Sequence, residues 1–123
     1  MIDAQKVIEI HGLILRDEPG LHGDHGIGPL EGALARIDSR IDYEGLDDLY
    51  EIAAMYAVAL ARGHVFNDAN KRTALVTALT YLSLQGVDIP RDDVLEEMMV
   101  DVAEGKLGQR DLAELLYSLA PEV

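Results

Sequence analysis

Apolar residues recur along the chain at spacings of three and four, the period of helices with one buried face. Val7, Ile10, His11 and Ile14 stand at i, i+3, i+4 and i+7 and predict a first helix over about Asp3 to Arg16. The segment EPGLHGDHGIGP, residues 18–29, breaks the pattern with repeated glycines and two prolines, which predicts a loop. Pro29 suits the first position of a short second helix that ends near Asp38. A third helix spans about Leu46 to Arg62 and buries Leu49, Ile52, Ala53 and Tyr56, with Gly63 as its stop. The fourth begins near Asn67 or Asp68, buries Leu75, Ala78, Leu79 and Leu82, and ends at Gly86. A fifth runs from about Arg91 to Glu104 on Val94, Leu95, Met98 and Val102. The sixth, from about Gln109 to Leu119, uses Leu112, Leu115, Leu116 and Leu119. There is no internal repeat and no low-complexity stretch. The pattern predicts one all-α domain over residues 1–123, a compact bundle of about six helices.

Composition supports the helical reading. Trp is absent, Phe occurs once and aromatics total 5%, whereas strands favour aromatic and β-branched residues. Charge narrows the list of partners. Ten Lys and Arg against 23 Asp and Glu give a formal net charge of -13. Binding to nucleic acid or to an anionic membrane surface is driven by cations, so direct partners of either kind are not expected. Apolar runs are only a few residues long, and none is long enough to span a bilayer. No secretory leader is visible and Cys is absent, which fits a cytoplasmic protein. Most of the acidity reads as a solvated surface, with a basic partner as the alternative.

One segment runs against the acidic trend: ARGHVFNDANKRTAL, residues 61–75. Arg62, Lys71 and Arg72 lie there with His64 against a single acid, Asp68. With Asn67 or Asp68 as N-cap, backbone N–H groups near Ala69, Asn70 and Lys71 emerge from a helix N-terminus. Such an end attracts anions through its unbonded donors and its dipole. Lys71 and Arg72 sit where the dipole prefers acids, so a negative ligand, a phosphate chain, is expected beside them. The unperturbed pKa of histidine is near neutral, so His64 suits a general base toward a hydroxyl. Asp68 is a hard oxygen ligand of the kind magnesium takes. Asn70 orients a phosphate or holds the loop. Other readings stay open: Asp68 as a cap only, or Asp68 and Arg72 as an i, i+4 surface pair. Phe66 reads as a core anchor and His11 as a packed core histidine. His22 and His25 are two potential metal ligands in a glycine-rich loop, too few for a metal site.

HVFNDANKRTAL resembles the central motif of the Fic/Doc superfamily, and within it the death-on-curing toxin branch. The broad pattern is H-P-F-x-[DE]-G-N-G-R; here Val65 replaces the proline, Ala69 the first glycine and Lys71 the second. Those departures point away from AMP-transferring relatives and toward the toxins. Weaker similarity extends through IHGLIL, GPLEGALARI and the closing helices. The glycine-rich loop departs from the family, with Gly28 and Pro29 after Ile27 where an arginine and an aspartate are usual. The resemblance implies the Fic/Doc fold and a toxin kinase that transfers the γ-phosphoryl group of ATP, with Mg2+, to a threonine of elongation factor Tu. It makes His64 the general base and sets Asp68 beside magnesium and the attacking group. Asn70, Lys71 and Arg72 would hold phosphates, and Arg62 would assist at the nucleotide side. It further implies a cognate antitoxin whose C-terminal segment folds as a helix into a groove near the active site. The alternatives are a protein AMP-transferase and a non-catalytic antitoxin-binding module.

Overall fold

A computed structural model of the chain describes residues 2–17, 27–63, 69–90 and 92–121. Six helices account for most of the described residues, and no strand occurs among them. They are α1 (Ala4–Asp17), α2 (Ile27–Glu44), α3 (Leu49–Arg62), α4 (Asn70–Leu84), α5 (Asp93–Ala103) and α6 (Gln109–Leu119).

The centre of the bundle is the pair α3 and α4, which pack on each other more extensively than any other two helices. Their sequences explain why. Ala53, Ala54, Ala57, Ala61, Ala74 and Ala78 are all buried, and small side chains let two helix axes approach closely. Leu60, Leu75 and Leu82 fill the remaining space. α3 is buried at every residue from Ile52 to Ala57, so it has no solvent face along that stretch. α6 and α5 pack on α3, α1 and α5 on α4, and α2 on α3 and α1. Tyr56, fully buried, accepts a hydrogen bond from the Ile2 N–H at 3.1 Å and so ties the start of the chain to the core. Burial pushes the Tyr56 phenol above its ordinary pKa. The hydroxyls of Thr73 and Thr77 on α4 are fully buried without a hydrogen-bond partner, a polar cost at the centre of the bundle.

Several expected boundaries move. α2 is far longer than the short helix expected to end near Asp38. Leu30, Leu34, Ile37 and Ile41 carry its apolar stripe to the end, and Arg40 pairs with Glu44 at 2.8 Å in the last turn. It stops at Gly45, whose φ of 64° is left-handed, while Leu46 N–H bonds to the Ile41 carbonyl. At its other end α2 includes residues 27–29 of the expected loop. Pro29 is tolerated as the third helical residue because first-turn N–H groups have no intrahelical acceptor. α3 begins at Leu49 rather than Leu46, since Asp48 caps it by accepting from Tyr50 N and Glu51 N. Leu95 and Val102 are buried as expected, but Val94 is 47% exposed and Met98 half-buried, and Met99 completes the buried stripe of α5. The remainder of the glycine-rich segment, with His22 and His25, lies outside the described residues.

Candidate active site

α4 starts at Asn70, not at Asn67 or Asp68. The residue before it, Ala69, has φ 62° and ψ 26°, the left-handed region, and this turn breaks the helical path. Among the described residues it is the one non-glycine with positive φ. For an alanine that conformation costs about 1–2 kcal/mol. The broad motif has glycine at this position, and the backbone here shows what a glycine there accommodates.

The Ala69 carbonyl accepts from Thr73 N–H at 2.9 Å, the first rung of the helix. The Ala69 side chain offers no cap to the first turn of α4. No acid stands in the first turn. The Lys71 side chain is exposed and those of Asn70 and Arg72 are half-buried. Backbone donors, a helix dipole and two cations therefore converge on one end of one helix. That donor set fits a polyphosphate.

Arg62, the last residue of α3, reaches elsewhere. Its Nε donates to the Val102 carbonyl and its Nη2 to the Leu107 carbonyl, both at 2.8 Å. One acceptor is in the last turn of α5 and the other in the connection to α6. The chain is thus fastened at position 62, two residues before His64. His64, Phe66 and Asp68 lie outside the described residues. Among the described residues no group of three or more His, Asp or Glu is arranged to hold a metal ion. His11 is buried on α1 at 6% exposure, as expected of a packed histidine.

Sequence reasoning missed two cations, Arg36 and Arg40. They stand i, i+4 on α2, the face that also carries Ala33 and Ile37, and with Arg62 they line a groove between α2 and α3. Ending α2 near Asp38 hid their shared face. Extending the apolar period to Ile41 would have shown it. No helix among the described residues is long and apolar enough to cross a membrane.

Residues 1–82 match the family model described as "Fic/DOC family". The chain is 38% identical to "Protein kinase doc" of Escherichia phage P1 over 118 residues, 96% of this chain and 94% of that protein. It is 36% identical to "Toxin Doc" of Mycolicibacterium smegmatis over 84 residues, 65% of this chain and 63% of that protein. With an all-helical bundle and similarity over nearly its full length, the chain belongs to the Fic/DOC family, on the branch of the Doc toxins.

Proposed function

We propose that the protein is a Doc-like toxin kinase that moves the γ-phosphoryl group of ATP onto a threonine of elongation factor Tu in the cytoplasm, halting translation. The observation that carries this reading is the start of α4, where a left-handed Ala69 leads into a first turn with two cations and no acid. The similarity to a protein named as a kinase supports the choice among phosphate chemistries.

ATP, when bound with magnesium, supplies the phosphoryl group and takes up charge on its oxygens. The chain's residues position and neutralise. The N–H groups of Asn70, Lys71 and Arg72 and the Lys71 and Arg72 side chains hold the phosphates, and Asn70 orients them. Asp68 would be the carboxylate that meets the metal and the attacking group. His64 takes the proton of the target hydroxyl as its oxygen bonds to the γ-phosphorus and the bond to the departing diphosphate breaks. Arg62 lends its charge on the nucleotide side while its hydrogen bonds fasten the strand leading to His64. A cognate antitoxin, its C-terminal segment folded as a helix near this site, would restrain the activity.

The test is intact-mass analysis of elongation factor Tu after incubation with the protein, ATP and magnesium. A gain of one phosphate is the expected outcome. A gain of AMP would replace the kinase reading with nucleotidyl transfer, and an unchanged mass would remove this target.

A further inference from the structure

The α2–α3 groove is chemically unlike the rest of the surface. Its volume is about 510 Å³, and the described residues that line it include three arginines and no carboxylate. That occurs in a chain with 23 acids and a net charge of -13. The floor is apolar, formed by Ala33, Ile37, Met55, Val58 and Ala59. Its existence follows from small residues: Gly28 and Gly32 on α2 and Gly63 after α3 leave unfilled the space that side chains would take.

The cations on this groove are not neutralised alike. Arg62 bonds to two neutral carbonyls, which fix it without cancelling its charge. Arg40 shares its charge with Glu44 and also donates to Gln109 Oε1 at 3.3 Å. Arg36 is exposed, with no hydrogen-bond or ion-pair partner among the described residues. Its guanidinium folds back over Gly32, with Nη1 3.4 Å from where a Cβ would stand. An exposed cation with no carboxylate partner among the described residues, beside an apolar floor, is a receptor for a segment carrying both apolar side chains and acids.

Position decides which partner. Along α2 the groove runs from Gly28 to Arg40, about 18 Å at 1.5 Å per residue. Along α3 it ends at Gly63, the residue before His64. His64 follows it in sequence, so a segment lying in the groove would approach the proposed base. A contact of about three helical turns suits a short segment of a partner that must leave after each turnover. We infer that this groove docks an acidic, partly apolar segment of the protein substrate and so raises the concentration of the target hydroxyl at His64. This inference rests on the kinase reading for its substrate. The rest of the acidic surface repels such a segment, so docking is also directional.

The experiment pairs Arg36→Glu and Arg36→Lys with the parent protein, using elongation factor Tu and ATP. Arg36 is exposed, so neither change threatens the fold. Initial rates give KM for the factor and for ATP, and calorimetry gives the affinity for the factor without turnover. Arg36→Glu is expected to raise KM and Kd for the factor about tenfold at low salt. Arg36→Lys is expected to retain most of the affinity, and added salt to erase the difference. The KM for ATP should stay within about twofold, because a surface charge away from the phosphates is screened. A KM for the factor indifferent to Arg36→Glu overturns the inference, as does a rise confined to ATP. A loss of antitoxin affinity with the factor's KM unchanged overturns it too, and assigns the groove to the inhibitor. If the parent transfers phosphate but docking ignores Arg36, the docking inference alone fails. If it binds the factor through Arg36 yet transfers nothing, the kinase reading alone fails. Neither binding nor transfer overturns both.

Discussion

α3 and α5 begin as stable helices are expected to begin, and α4 begins in the opposite way. Asp48 caps α3 through two backbone N–H groups, with Glu51 in the first turn. Asp92 caps α5 through Val94 N, with Asp93 and Glu96 following. Each acid satisfies a donor or complements the dipole. α4 has a strained alanine in place of a capping side chain, and Lys71 and Arg72 in place of acids. An acid-free first turn is shared with α1 and α2, but among the described helices α4 alone places two cations there. Two cations there work against the helix dipole, and the proposed phosphate site would account for them.

The comparison can be broken most severely at the chemistry itself. His64→Ala is expected to lower phosphoryl transfer by about 10²- to 10⁴-fold and to abolish growth arrest on expression. Circular dichroism should show the helical content unchanged. A variant as toxic as the parent would remove His64 as the base.

Next in size is a reversal of charge. Lys71→Glu makes the start of α4 resemble those of α3 and α5, so it should raise the stability of the helix by about 0.3–1 kcal/mol. The same change should weaken ATP binding in calorimetry by about tenfold or more, since a charge-assisted contact gives way to repulsion. Opposite signs in the two measurements are the signature of a site that trades stability for binding. If ATP affinity holds, Lys71 does not touch the phosphates.

The ordinary helix starts give the control. Asp48→Ala should cost about 1 kcal/mol in urea unfolding and leave ATP affinity untouched, because a cap serves only its own helix. The smallest effect is expected at Ala69→Gly. Relief of the left-handed strain is offset by the lost buried methyl and by the greater freedom of glycine in the unfolded chain, so stability should change by less than about 1 kcal/mol. A larger loss would mean that the methyl, not the backbone turn, is what position 69 contributes.

These contrasts were partly visible in the residues alone. The helical periods of α1, α3 and α6 are regular, and α6 runs from Gln109 to Leu119 as its leucines predict. The motif from Arg62 to Arg72 is dense enough in unusual residues to be noticed without coordinates. Three things escaped for physical reasons. A proline near a helix start reads as a first residue, yet any first-turn position lacks an intrahelical bond to lose, so α2 began earlier than expected. The start of α4 was placed by cap preference at Asn67 or Asp68, but the left-handed turn at Ala69 overrode that preference. The α2–α3 groove depends on two helices meeting, and no single-helix period reports which arginines face each other across it.

The grip of Arg62 on Val102 and Leu107 bears on where this domain can be cut. The family match ends at residue 82, just short of the end of α4, and the chemical motif is complete well before that point. Both acceptors of Arg62 nevertheless lie beyond it, on the corner between α5 and α6. A fragment shortened to the matched region would contain the whole motif but would lose the hook that holds its leading end. The last forty or so residues are therefore part of the smallest working unit, and a transplant of the motif into another scaffold would have to bring that corner with it.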